Sequence, residues 1–250
     1  MSKHFELMQE MGREQSFGSD SSSTPVFPSQ DDYKNGHNQR RRANDEALRL
    51  VQQIFLLQTQ EPPRVVVFAG INHGNGCSHI CAAVAETLAR NTLKPVCLVE
   101  ANFRSPSLPR FFGTTNHHGL TEALLRKGSI KSFAKLVSGD NMWLLSSGVV
   151  AADSTNLITS DHLRQRLAEL REEFGFVIID APPLTRYSDA MVLGQLSDGL
   201  VLVLEAESTR SEAALVVAAN VRSVKVPILA AVLNKRTLAK DLVQNTHERG

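Results

Sequence analysis

No run of apolar residues in the chain reaches the roughly 18 needed to cross a bilayer, and the N-terminus has no signal-peptide core. The expectation is a soluble cytoplasmic chain, any membrane association of which must come through a partner. Cysteine is scarce: three residues without a secretion signal make no disulfide frame and read as reduced thiols. An excess of either charge is also missing. The net charge of +1 supplies no general drive toward nucleic acid, and the one basic run, Arg40-Arg41-Arg42, reads as solvating a linker rather than contacting anionic lipid. Tyrosine occurs only at Tyr33 and Tyr187.

What is present suits one α/β domain, since 250 residues with 42% hydrophobic content can bury a sizeable core. Phe5, Leu7, Met8 and Met11, beside Glu6, Glu10 and Glu14, fall at near-helical spacing, so residues 1–15 read as a short amphipathic docking helix. Such a helix is marginal alone in water and would fold when docked. Residues 16–44, rich in Ser, Asp, Asn, Gln and Pro, read as a flexible linker. The domain is expected over 45–238, with a tail at 239–250.

Apolar runs predict strands near 64–69, 96–100, 142–146, 176–180, 200–205 and 228–233. Helices are predicted near 45–58, 78–91, 119–127, 160–173, 189–195 and 210–223. This alternation describes a doubly wound, mainly parallel sheet. The first strand runs into Gly70-Ile71-Asn72-His73-Gly74-Asn75-Gly76-Cys77-Ser78-His79, a glycine-rich turn that opens a helix. Gly74 and Gly76 permit a tight turn whose amides, with the helix N-terminus, can hold phosphate. Alone, such a turn is also an ordinary strand-to-helix connection. Two further strands end in polar groups: Val96 to Glu100 leads to Asn102, and Phe176 to Ile179 leads to Asp180. Such groups at the carboxyl ends of adjacent parallel strands face the crevice where open α/β sheets bind ligands, and in a phosphate site they would hold Mg²⁺. Taken singly, Glu100 and Asp180 merely end strands; the order of all three strand ends favours a site.

These segments resemble the cytoplasmic module of bacterial tyrosine kinases (BY-kinases), within the deviant-Walker, ParA/MinD-like branch of P-loop NTPases. The family's Gly-Glu-Gly-Lys-Ser-Thr is matched by Gly74-Asn75-Gly76-Cys77-Ser78-His79. Its Asp-Ala-Asp-Leu-Arg-x-Pro is matched by Glu100-Ala101-Asn102-Phe103-Arg104-Ser105-Pro106, and its Ile-Ile-Asp-Thr-Pro-Pro by Ile178-Ile179-Asp180-Ala181-Pro182-Pro183. The resemblance covers about Asp45 to Lys235. It implies ATP or ADP with Mg²⁺ on Gly74 to His79, the metal held by Ser78, Asp180 and Glu100, and catalytic positions at Asp180, Glu100 and Asn102. It also implies that Asn234 reaches the adenine, that the activity is phosphoryl transfer to protein tyrosine, and that the setting is exopolysaccharide synthesis or export. The implied partner is the cytoplasmic end of a chain-length-determinant (Wzz-like) membrane protein.

The departures fall where the chemistry would be. Cys77 replaces the lysine that neutralises the β- and γ-phosphates, which removes a charge-assisted hydrogen bond of roughly 1.5–3 kcal/mol. Asn102 has the shape of the family's aspartate without its basicity, and Glu100 carries its carboxylate on a longer arm. Phosphoryl transfer relies on positioning and charge neutralisation, so these losses predict an impaired kinase that regulates by binding. A working kinase would need a substitute cation, Arg104 or Arg186 being the candidates; a third reading is a partitioning-type scaffold that needs no nucleotide. With two tyrosines in all, the chain has no tyrosine cluster for neighbours in a ring to phosphorylate. The family's ring motif Glu-x-x-Arg-x-x-Arg is met by Glu46, Arg49 and then Gln52. Glu46 and Arg49 on one helical face suit a homo-oligomer interface, or an ordinary surface pair. Finally, Cys77, His79 and Cys81 raise a metal or redox question, and the want of a Cys-x-x-Cys pair or fourth ligand argues against zinc.

Overall fold

The computed structural model describes residues 43–57, 61–139, 141–149, 157–158 and 160–236. The docking helix at 1–15, nearly all of the linker and the tail, with Tyr33 and Arg40 to Arg42, lie outside the described residues. Seven strands form one sheet: β1 Val65–Gly70, β2 Val96–Glu100, β3 Lys135–Ser138, β4 Met142–Leu145, β5 Phe176–Ala181, β6 Gly199–Glu205 and β7 Ile228–Asn234. Their order is β3-β4-β2-β5-β1-β6-β7, with β3 antiparallel to β4 and every other pairing parallel. The doubly wound, mainly parallel architecture read from the sequence is the one observed.

The helices are α1, residues 43–51 running into a π-helical turn at Gln52–Leu56, then α2 Cys77–Asn91, α3 Leu108–Phe111, α4 Leu120–Leu125, α5 Asp161–Glu173, α6 Asp189–Gln195 and α7 Ser211–Ser223. Residues 43 and 44, read as the end of the linker, are helical. Three elements were not predicted: β3, α3 and a 3₁₀ turn at Ile130–Phe133. Each is four residues long, too short for a periodicity to show, and β3 is an edge strand whose Lys135 and Leu136 are exposed.

Central strands buried on both faces read as continuous apolar runs, and β1, β2 and β5 do so. Alternation sorts their side chains between two cores. Val65, Val67 and Ala69 of β1 join Cys97, Val99, Val177 and Ile179 under α4 to α7. Val66 and Phe68 join Val96, Leu98, Phe176 and Ile178 under α1, α2 and α3. Since successive residues face opposite sides, Glu100 and Asp180 share the face of Leu98 and Ile178 and so point toward α2 and α3. They are register partners across β2 and β5. At the opposite rim, Asp198 accepts from the amides of Arg64 and Val65 and from Arg171 Nη2 (2.7, 2.8 and 2.6 Å), tying β1, α5 and the start of β6.

Candidate nucleotide and metal site

The loop after β1 turns through Gly74 and Gly76, with φ of 86° and 81°, left-handed conformations that glycine adopts at little cost. Gly76 is constrained twice, because a Cβ there would lie 2.3 Å from Asn234 Nδ2. That amide donates to Asn75 O at 2.8 Å, while Asn234 Oδ1 accepts from the Lys235 amide. Both ends of the Asn234 side chain are thus engaged, one with the loop and one with its own chain. Asn75 Oδ1 accepts from the Asn72 amide, and its Nδ2 donates to Glu205, which also pairs with Lys235 Nζ at 2.9 Å. The loop is therefore pinned to the ends of β6 and β7. Nothing in the spacing announced the Glu205 contact, which joins residues 130 positions apart.

Cys77 is the first residue of α2, followed by Ser78 and His79. Ser78 Oγ donates to Asp180 Oδ2 at 2.5 Å, and Cys81 Sγ lies 3.8 Å from Asp180 Oδ1. The ligand atoms of Cys77, Cys81 and Asp180 all lie within 4.8 Å of one another. His79 stands apart from this cluster: its ring meets Phe111 edge-on at 5.7 Å, and burial lowers its pKa. The sequence raised Cys77, His79 and Cys81 together; the fold replaces the histidine with Asp180.

Burial pushes the Asp180 carboxyl up to about 7, against the pull of hydrogen bonds from Ser78 and the thiols and with the Glu100 charge adding to the rise. A hydrogen bond with Cys81 favours the Cys77 thiolate, but burial and Asp180 outweigh it and place that thiol at about 11. Burial likewise raises Cys81. Neither thiol is an activated nucleophile in this setting.

Glu100 is held by backbone amides. Its Oε1 accepts from the amides of Ser107 (2.5 Å) and Leu108 (2.7 Å), and its Oε2 from the amide of Ser147 (3.2 Å). The side chain is fully buried behind the strand end, where burial raises its pKa and the amides pull it back. With both oxygens accepting from three amides, it orders the loops after β2 and β4. The longer arm of glutamate explains the reach to Ser147. Asn102 is half-buried and lines the cavity over the loop.

That cavity, about 250 Å³, is lined by Gly74 to His79, Asn102, Ser107, Phe111 and Asp180 among others. Among the described residues, no lysine or arginine lines it. Arg104 lies over the Tyr187 ring, 4.0 Å from its centroid, and 3.8 Å from Asp189, while Arg186 is exposed. Neither candidate substitute cation is among the lining residues. Glu46 and Arg49 are exposed on α1, on a separate groove shared with α2 and β7.

No family model matches the chain. It is 30% identical over 167 residues to the tyrosine-protein kinase YwqD of Bacillus subtilis, a match covering 67% of this chain and 70% of that protein. The chain belongs to the bacterial tyrosine-kinase family. It spans only about a fifth of the length of some longer members of the family. Among solved structures, the VpsO kinase domain superposes with a TM-score of 0.74 at 23% identity, covering 82% of this chain and 100% of that one. The septum site-determining protein MinD of Pyrococcus horikoshii, complexed with Mg-ADP, superposes at 0.57 with 18% identity, covering 68% of this chain and 69% of that one. These likenesses show the deviant-Walker P-loop fold. As a member of that family, this chain carries its departures from the family motifs in the loop and strand ends rather than in the scaffold.

Proposed function

We propose that this member of the family is catalytically impaired and serves exopolysaccharide synthesis or export as a regulatory, nucleotide-sensing partner. The observation that carries the reading is the cavity over Gly74 to His79, which keeps the glycine turn, Ser78 and Asp180 but, among the described residues, is lined by no lysine or arginine. The residues present suit part of a Mg²⁺-nucleotide: loop amides and the start of α2 for phosphate, Ser78 and Asp180 for the metal. When bound, the metal would neutralise phosphate charge; the chain itself supplies the amide cradle, the hydroxyl and the carboxylate. It supplies no cation at position 77 and no basic group at 102, so phosphate is held weakly and the tyrosine proton has no acceptor at that position. The partner implied by family is a chain-length-determinant membrane protein, met through residues 1–15, and self-association would use Glu46 and Arg49 on α1. No helix among the described residues is long and apolar enough to cross a membrane.

Transfer of labelled phosphate from ATP to a tyrosine-containing peptide tests the reading. The wild-type chain is expected to give no transfer above background, and the double variant Cys77→Lys/Asn102→Asp to give measurable transfer. Wild-type turnover equal to that of the double variant would overturn the proposal.

A further inference from the structure

We infer that Cys77, Cys81 and Asp180 form a binding site for a thiophilic divalent metal, zinc being the type case, and that metal there excludes Mg²⁺-nucleotide from the same carboxylate. The two cysteines are four residues apart on α2, the spacing that puts side chains on one helical face and that the two histidines of helical zinc motifs also use. The strand end of β5 brings the third ligand to that face. In a tetrahedral zinc site, with bonds of about 2.3 Å to sulfur and about 2.0 Å to oxygen, sulfur and oxygen stand about 3.5 Å apart. Cys81 Sγ and Asp180 Oδ1 are 3.8 Å apart, and all three ligand atoms fall within 4.8 Å of one another. Small side-chain rotations close the remaining gap.

The carboxylate is divided in a way that suits ligation. Its Oδ2 is held by the Ser78 hydroxyl and its Oδ1 is turned toward the thiols, so Ser78 orients the oxygen that would bind. Cys81 and Asp180 are buried, but Asp180 also borders the open cavity with half-buried Cys77 and Ser78, which gives the metal an entry path and a fourth position for water. Three protein ligands and one open position match the ligand count of zinc sites that keep a solvent ligand. Cys97, the remaining cysteine, is buried in the opposite core and takes no part.

The charge balance decides what such a site would do. Two thiolates and a carboxylate outweigh a divalent ion by one negative charge, so the loaded site does not replace the missing lysine and repels phosphate. It also removes Asp180 from Mg²⁺. Metal and nucleotide thus compete, with Asp180 as the shared ligand.

The test is titration of Co²⁺ into the reduced 250-residue protein without nucleotide, followed by absorption. Thiolate-to-cobalt charge-transfer bands saturating near one equivalent, displaced by Zn²⁺, are expected. Cys77→Ser and Cys81→Ser should each weaken binding at least about 100-fold, Ser78→Ala about tenfold with the bands retained, and Cys97→Ser should not alter it. Circular dichroism of each variant separates a lost ligand from a lost fold, and where Cys81→Ser unfolds, Cys81→Ala takes its place. Absence of thiolate bands, or bands that survive both Cys77→Ser and Cys81→Ser, overturns the inference. No nucleotide is present, so the result is independent of whether the cradle holds ADP.

Discussion

The two rims of the sheet treat a carboxylate in opposite ways. At the lower rim, burial disfavours the Asp198 charge, but the Arg171 guanidinium and the amides of Val65 and Arg64 outweigh it and hold its pKa below the usual carboxylate range. At the upper rim, Asp180 has a hydroxyl and two thiols for neighbours and its carboxyl rises to about 7. The two carboxylates differ in burial as well as in partners: Asp198 is half-buried beside a guanidinium, whereas Asp180 is fully buried among neutral donors. The lower rim clamps β1, α5 and β6 together; the upper rim sets a carboxylate beside a cavity that, among the described residues, no lysine or arginine lines.

Glu100 sharpens the contrast: three backbone amides donate to it at the upper rim, yet full burial still raises its pKa. Glu100→Ala leaves the amides of Ser107, Leu108 and Ser147 without their acceptor, at about 1–3 kcal/mol for each buried unsatisfied group. A loss of about 3–5 kcal/mol is expected in urea unfolding, with Glu100→Gln costing less because its amide oxygen still accepts. A change under about 1 kcal/mol for Glu100→Ala would mean that the carboxylate is free for other work.

A smaller effect is expected at the lower rim. Asp198→Asn weakens the contact to Arg171, a part-exposed pair at 2.6 Å, and should cost about 1–2 kcal/mol near neutral pH. The sign follows from the lowered folded pKa: the ionised Asp198 stabilises fully above its unfolded value of about 3.9, and that contribution is lost as pH falls through the folded value. Wild type and Asp198→Asn should therefore differ most above about pH 5 and converge in strong acid. A difference that grows on acidification would reverse the assignment.

The smallest effect belongs to Asn234, whose side chain braces the loop through one hydrogen bond to Asn75. Asn234→Ala should cost about 0.5–1.5 kcal/mol and increase hydrogen exchange of the Gly74 to Ser78 amides. Unchanged exchange would show that the Glu205 contact alone pins the loop.

Much of this was legible in the sequence because buried parallel strands are written as apolar runs, and β1, β2 and β5 carry three such runs that end in the site. The glycine loop, Ser78 and Asp180 meet as their order implied. The role of Glu100 was hidden, since its partners lie in loops 7, 8 and 47 residues away and are backbone groups, which have no side-chain signature. The thiol cluster was half legible: helical spacing pairs Cys77 with Cys81, but only strand pairing brings in Asp180. Strand β3 was invisible because four residues on an edge need neither alternation nor an apolar run.

The central claim, that the cradle persists without its cation, is tested most directly by calorimetric titration of Mg²⁺-ADP into the metal-stripped wild type and Cys77→Lys. A restored charge-assisted hydrogen bond of about 1.5–3 kcal/mol predicts binding about 10- to 100-fold tighter in the lysine variant. Equal affinities in the two proteins would contradict the account, because phosphate would then be neutralised by a group other than residue 77.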